Sequence, residues 1–341
     1  MRWREWLPGE TGPGAGGLRV AQAALLVLAF AMPLSIAITE IALVTGVLAL
    51  IVSRLRGRRW RVPDTWLLAA ALAMASSWLL SSAFSAEPAG SFYHVRKLYA
   101  MLLIPLAAEA GRDPRVRDRA VRHVVLGAVI TALIGFLIYA VRVPSHPGYR
   151  LQSVLSNQMT SGGVLAAALL WSTAAALARR SVSRWAYALA SVPVALALVL
   201  TQTRSHWLGA VFGATAVFIA LAPRAWWTVP VAAVVVARLA PARIVSRLAS
   251  IVDPHEPGNQ GRLSMWRSGR DIIRQHPLLG VGCQDLLTLY RRFRYPDWTF
   301  ESGHFHNNFV QLAVSTGAVG VAAFLFWIVA AFRELARGLG A

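Results

Sequence analysis

"LVLAFAMPLSIAITEIALVTGVLALIVSRLRGRRWR", residues 26–61, decides the fold class. Two apolar runs meet at Pro33, and the second ends in five arginines. A helix of about 20 apolar residues crosses the hydrocarbon core of a bilayer. Proline cannot continue a helix, so Pro33 predicts a tight hairpin between two spans. A cluster of arginines directly after a span predicts a cytoplasmic loop. The segment before the first run, "MRWREWLPGETGPGAGGLRV", is polar and Gly-rich and precedes no clear cleavage site, so an uncleaved first span is expected rather than a signal peptide.

The same pattern runs through the chain. Of 341 residues, 56% are hydrophobic and 14% charged, and the mean hydropathy is +0.52. A soluble domain carries about a quarter charged residues, and a transmembrane barrel shows short alternating strands. The expectation is an all-α polytopic membrane protein. Ten candidate spans fall at 18–34, 36–53, 64–84, 92–110, 119–141, 157–178, 184–202, 205–222, 225–240 and 306–333. Cys283 is the one cysteine, which excludes an intramolecular disulfide and a cysteine metal cage. The net charge of +19 comes almost wholly from arginine, with Lys97 the single lysine. These arginines sit in loops between apolar blocks, which points to topology and anionic lipid rather than nucleic acid.

"RLRGRRWR" (54–61), "RDPRVRDRAVR" (112–122) and "RRSVSR" (179–184) are alternate loops and fall on one side, the cytoplasm. Both termini are expected there too. The opposite face carries "TQTRSHW" and one long segment, 241–305. The chain therefore divides into spans over 1–240, a functional cap over 241–305 that contains short helices, and a last span with its tail over 306–341. A connector of that length without structure of its own is uncommon.

The polar residues that interrupt this face carry the chemistry. Arg204 and His206 stand between two apolar blocks; Arg204 either snorkels to headgroups or binds an anion in the interior. Residues 261–275 read as a helix ended by His276-Pro277. Arg262, Trp266, Gly269 and Ile273 share one stripe of it, and Arg267, Arg270 and Arg274 form another. An arginine on a packing face needs an acid, such as Asp253 or Glu256, or an anionic ligand. "LYRRFRYPDW" (289–298) fits an interfacial belt or contact with a phosphorylated sugar acceptor. In "ESGHFHNN" (301–308), His304 and His306 read as structural caps, as metal ligands with Glu301 or an aspartate, or as a general base. Asn307 stands where it can orient the imidazole or the substrate. Two outward arginines with one histidine suit glycosyl transfer from a lipid pyrophosphate: guanidinium replaces the metal at the leaving group and the histidine takes the acceptor's proton.

"TQTRSHWLG", "GRLSMWRSGRDIIRQHPLLGVG" and "HFHNNFVQLAVSTGAVG", in that order, resemble the O-antigen ligase and Wzy polymerase superfamily. The resemblance covers about residues 150–320. It implies a GT-C-like helical bundle of about ten (10–12) spans in the bacterial inner membrane, with the active site facing the periplasm. It also implies an inverting, metal-independent glycosyltransferase without a cofactor. Its donor is a glycan on undecaprenyl pyrophosphate. By motif position, Arg204 and Arg262 bind the pyrophosphate, His306 is the base, and His304 and Asn307 support it. Arg150 and Asn157, in "YRLQSVLSNQ", match a weaker pattern. Members usually add one or two spans after the helix that follows the H-N pair, whereas this sequence ends at Ala341. If those spans line the site, the activity of this chain is affected.

Members that glycosylate proteins usually carry a large C-terminal domain not seen in this sequence. The basic segment, with Arg243, Arg247, Arg267, Arg270, Arg274, Arg291, Arg292 and Arg294, suits a phosphate-rich acceptor such as lipid A–core oligosaccharide. The expected activity is therefore transfer of O-antigen to lipid A–core. The alternatives are a Wzy-type polymerase or a non-enzymatic transporter of the lipid-linked glycan. The expected partners are donor, acceptor and membrane lipid, with no nucleic acid.

Overall fold

The computed structural model describes residues 14–57, 65–155, 157–179, 182–295 and 303–340. The expected loop arginines Arg58, Arg59, Arg61 and Arg180, the N-terminal stretch 1–13 and Glu301 lie outside these residues. Every regular element among the described residues is helical. In chain order they are α1 (Ala15–Ala31), α2 (Ile36–Leu55), α3 (Trp66–Ala83), α4 (Pro88–Val95), α5 (Leu103–Ala110), α6 (Pro114–Arg142) and α7 (Gln158–Ala178). There follow α8 (Ser183–Leu200), α9 (Arg204–Leu221), α10 (Thr228–Leu239), α11 (Ala242–Ala249), α12 (Pro257–Gln275), α13 (Leu286–Phe293) and α14 (Asn308–Gly340).

Seven described helices are long and apolar enough to cross a membrane: α2, α3, α6, α7, α8, α9 and α14. Two expected spans are shorter. α1 has 17 residues. α10 has 12, which at 1.5 Å per residue covers roughly 18 Å of a 30 Å core. The expected span 92–110 is three pieces: α4, a 3₁₀ stretch over Arg96–Leu102, and α5. Arg96 and Lys97 stand at the start of that apolar run, and the buried Glu109 near its end. The uncharged stretch between them is too short to span.

The chain forms two compact units, Met1–Arg61 with Leu106–Ile251, and Val62–Pro105 with Val252–Ala341. The segment expected as one cap, 241–305, is thus shared: α11 belongs to the first unit, α12 and α13 to the second.

In the first unit α1 and α2 form the expected hairpin at Pro33. Ser35 caps α2 by accepting from the Ile38 amide (3.4 Å). α6 crosses α1 so closely that a Cβ at Gly127 would collide with the Phe30 carbonyl, and Thr131 donates to the Pro33 carbonyl at 2.7 Å. Small residues permit such approach between helices that gain nothing from a hydrophobic effect in lipid. Arg54 pairs with Glu109 at 3.0 Å, both nearly buried, and Arg112 approaches the same carboxylate at 3.2 Å. The core of this unit is rich in small residues, among them Ala29, Ala128, Ala132 and Ala197, packed with Leu151 and Leu165.

In the second unit α3 lies along α14. Their ends are tied where the Trp66 amide donates to Glu334 (3.3 Å) and Arg333 stacks on the Trp66 ring at 3.5 Å. α14 is broken at Gly317, with φ 61° and ψ −160°. The break uncouples the Val314 and Ser315 carbonyls from the amides of Ala318 and Val319, four residues on. The turn after α12 pairs all four. Val281 and Gly282 donate to Val314 and Ser315 (2.9 and 3.0 Å), and Pro277 and Leu278 accept from Ala318 and Val319 (2.9 and 3.2 Å). Ser81 of α3 donates to Leu279 and Ser315, each at 2.6 Å. Backbone inside a span must find such partners, because lipid offers none.

Gly317 has a backbone conformation open essentially to glycine alone, and a Cβ there would collide with the Leu278 carbonyl. Gly317→Ala is expected to destabilise the protein by about 3 kcal/mol or more. A thermal unfolding midpoint in detergent within a degree of the parent protein would contradict this.

Candidate functional site

The polar clusters fall in different units. Arg204 lies in the first; Arg262, His304, His306 and Asn307 lie in the second.

Arg204 opens α9 and is 8% exposed. Its Nη1 donates to the Ser250 carbonyl (2.6 Å) and hydroxyl (2.8 Å), just beyond α11. Arg150 donates from Nε to the Thr201 carbonyl (3.0 Å) and from Nη2 to the Gln202 carbonyl (2.9 Å). Its segment is fixed by the fully buried Leu151, whose side chain fills the space over Gly135 and whose amide bonds the Leu200 carbonyl at 3.0 Å. Arg243 bonds the carbonyls of Pro147 and Tyr149. The carbonyls that Arg150 and Arg243 meet are dipoles, which satisfy the N–H groups without neutralising the charge. Burial, then the charges of Arg247, Arg204 and Arg243, hold Arg150 below the ordinary guanidinium pKa. Positive charge gathered in this way suits an anion. The positive N-terminal end of α9 adds to it.

α11 connects this field to an apolar space. Its Ile244 and Leu248 line a cavity of about 300 Å³ with Leu169, Trp207 and Val236. Arg243 and Arg247 lie on its polar side. An amphiphile with an anionic head matches both faces.

In the second unit α12 starts at Glu256, whose carboxylate accepts from the Asn259 amide (2.9 Å), and stops at His276-Pro277 as the sequence predicts. Arg267, Arg270 and Arg274 are exposed, as read. The packed face is centred on Gly261, Met265, Ser268, Gly269 and Ile272, so Arg262, Trp266 and Ile273 lie at its edge rather than its middle. Gly269 admits the first turn of α14; a Cβ there would press on Val310.

Phe305 is the anchor of the H-F-H stretch. It is 1% exposed and edge-on to Tyr290 at 6.1 Å. Its carbonyl accepts from Trp266 Nε1 (2.9 Å) and its amide donates to Gln311 Oε1 (3.0 Å). With Phe305 inward, His304 and His306 turn outward and meet edge to face at 4.0 Å. His306 is left-handed, φ 50°, a conformation few residues with a Cβ adopt. Asn307 Oδ1 accepts from the amides of Phe309 (2.9 Å) and Val310 (3.3 Å), so its side chain caps α14. The residue that caps this helix is therefore Asn307, not a histidine. Among the described residues no three of His, Cys, Asp and Glu gather to hold a metal.

Partial burial of the ring, then His304, then Arg262 push the His306 pKa down to about 4. The residue keeps solvent access, so water screens part of this effect. The direction fixes the chemistry: at pH 7 the imidazole is neutral and can accept a proton. The same direction links to stability. A folded-state pKa below the unfolded value of about 6.5 disfavours the cation in the folded protein. Any stability this residue contributes is complete above that value and is lost as pH falls towards about 4.

The sequence singles out Arg204, Arg262, His306, His304 and Asn307 as candidates, with Trp266 on the stripe of Arg262. Phe305 was not, although apolar residues framed by polar ones mark an inward turn. The convergence of Arg150, Arg243 and Arg247 on the surroundings of Arg204 joins residues distant in sequence, and only the weak pattern at Arg150 hinted at it.

Residues 189–325, which include these three motifs, match the model of a protein family described as O-antigen ligase. No curated protein and no solved structure matches the chain.

Carbon-13 histidine spectra, assigned by loss of one signal in His306→Gln, are expected to show the His306 ring titrating well below the usual imidazole range. Arg262→Gln removes a like charge, so the midpoint moves up in that variant. A parent midpoint near pH 6.5, unmoved by Arg262→Gln, would contradict the electrostatic coupling.

Proposed function

We propose that this chain, which belongs to the O-antigen ligase and Wzy polymerase superfamily, transfers O-antigen glycan from undecaprenyl pyrophosphate to lipid A–core oligosaccharide by metal-independent inversion. Proteins of this family are glycosyltransferase-like ligases or polymerases acting on lipid-linked glycan. The helices of spanning length make this one a multi-pass membrane protein.

The observation that carries the reading is the pairing of a neutral histidine with a neighbouring guanidinium in one unit, and a nest of four arginines beside an apolar cavity in the other. The acceptor hydroxyl oxygen forms the new bond to the anomeric carbon while the bond from that carbon to the pyrophosphate oxygen breaks. The hydroxyl proton passes to His306, and undecaprenyl pyrophosphate leaves; Arg262, in the unit of His306, and Arg204, in the other, are the residues assigned to pyrophosphate charge. Fixed guanidinium groups aimed at developing charge replace the cation that such leaving groups usually need. Direct displacement inverts the anomeric centre. A bound diphosphate also offsets the field of Arg262, which raises the His306 pKa from its depressed value and strengthens it as a base.

His304 supports the reaction by packing against the His306 ring, and Asn307 by fixing the backbone behind it. The GT-C-like bundle, the inner membrane and the periplasmic orientation of the site complete the proposal. The arginine-rich surface of α12 favours a phosphate-rich acceptor, and hence ligation over polymerisation.

With purified protein, lipid-linked glycan and lipid A–core, product is expected in EDTA. Arg204→Ala, Arg262→Ala and His306→Ala are each expected to lose turnover at least 100-fold while the protein still inserts, about 2.7 kcal/mol of transition-state stabilisation. Lysine at either arginine should rescue poorly, since it lacks the planar fork. Full activity in any alanine variant removes that residue from the mechanism. A strain lacking the protein should accumulate polymerised glycan on its carrier lipid; loss of long chains with one repeat still attached would mark a polymerase instead.

A further inference from the structure

The second unit holds a cavity of about 490 Å³ that the steps above leave unused. It borders the histidine pair in sequence, since Gly303 and Asn308, which flank the stretch His304–Asn307, both line it. Its volume lies in the range of small-molecule sites. Trp78 and Phe324 give it apolar walls, and Gln284, Asp285, Asn308 and Gln311 give it amide and carboxylate groups. Flat apolar faces beside planar polar side chains suit a pyranose ring, which presents C–H groups on its faces and hydroxyls around its rim.

Two observations point to a ligand. The Trp78 indole Nε1–H is buried and finds no acceptor among the described residues. An orphaned buried donor is costly and rare, and a sugar hydroxyl in the cavity satisfies it. The second is charge. Lys97, the single lysine of the chain, lines the cavity. Its charge is felt at Cys283, yet it makes no hydrogen bond or ion pair with any described residue. His94 lines the same wall and donates from Nδ1 to the Gly90 carbonyl (3.0 Å), which leaves Nε2 for a ligand. Asp285 lines the same cavity, but among the described residues neither Lys97 nor His94 is ion-paired with a carboxylate, so an anionic substituent on the sugar supplies one partner for both.

We propose that this cavity is the acceptor subsite and that Lys97, with His94, selects a saccharide carrying an anionic substituent. The proposal rests on the transferase reading above and adds the part of the acceptor that is recognised. Asn308 and Gly303 then deliver the acceptor hydroxyl towards His306, and Trp78 Nε1–H fixes the ring against its wall.

The test measures binding without donor, so that it does not depend on turnover. The full chain in nanodiscs is titrated with core oligosaccharide released from lipid A, once phosphorylated and once after chemical dephosphorylation, and the affinity is read by calorimetry. The phosphorylated probe should bind, and Lys97→Gln should weaken it at least tenfold. Trp78→Phe, which keeps the ring and removes the donor, should weaken it several-fold. Arg204→Ala should leave it unchanged. Dependence on Lys97 that vanishes on dephosphorylation identifies phosphate as the substituent; dependence that survives identifies a sugar carboxylate. Equal affinity of the parent and Lys97→Gln proteins for both probes overturns the proposal, as does a rise in donor KM with acceptor KM unmoved. Oligosaccharide binding that needs Lys97 in a protein with no transfer activity would sink the transferase reading and leave the subsite standing. Transfer activity with acceptor affinity indifferent to Lys97 and Trp78 would do the reverse.

Discussion

The second unit depends on one exchange of backbone hydrogen bonds. α14 is interrupted at Gly317, and the turn Pro277–Gly282 pairs the groups that the break releases. Leaving those groups unpaired at membrane depth costs several kcal/mol each. The break and the turn therefore exist only together. Gly280 and Gly282 adopt positive φ in the turn, as Gly317 does in the helix; a Cβ at Gly280 or Gly317 would strike the facing backbone, and one at Gly282 the side chains of Ser85 and Ser91. The consequence reaches the chemistry. The first half of α14, from Asn308, is held by the turn that ends α12, so Arg262 on α12 and His306 before α14 sit on one frame.

The electrostatics of each unit follow from what satisfies its cations. Arg54 meets Glu109 and is neutralised as well as hydrogen-bonded. Arg150 and Arg243 meet carbonyls, which satisfy the N–H groups and leave the charge. The first arrangement fixes structure; the second stores a field that an anionic ligand relieves. The same logic holds His306 neutral. It stands before the N-terminus of α14, where partial positive charge disfavours a cation, and beside Arg262, which disfavours it further.

Much of this was legible in the sequence, for local reasons. Apolar runs, Pro33, the exposed stripe of Arg267, Arg270 and Arg274, and the stop at His276-Pro277 are each decided by neighbours in sequence. The failures are non-local. "QLAVSTGAVGVAAF" (311–324) reads as one uninterrupted span, and glycine is tolerated inside such helices; only a turn more than thirty residues earlier makes the break affordable. The run 92–110 reads as a span by hydropathy, but Arg96-Lys97 and the buried Glu109 leave too few apolar residues between them. The segment 241–305 reads as one cap, yet α11 packs its apolar face into one unit and α12 builds the other. Arg262, Trp266, Gly269 and Ile273 share a stripe by periodicity, but the approach of α14 at Gly269 centres the packed face on that glycine and leaves Arg262 at its edge.

His306 carries the last step. A residue with a Cβ in the left-handed region costs about 1–2 kcal/mol, and glycine would remove that cost. Its neighbours over-determine the conformation instead. Phe305 is buried against Tyr290 and hydrogen-bonded through both its backbone groups, and Asn307 caps the helix that follows. Between two fixed residues the backbone of His306 has one path, and its side chain has one outward direction, beside His304. Strain of this kind persists where the surroundings impose it, and it clusters where a side chain must point one way. A neutral imidazole, aimed by its own backbone and held next to a guanidinium, suits the proton-accepting role proposed for it.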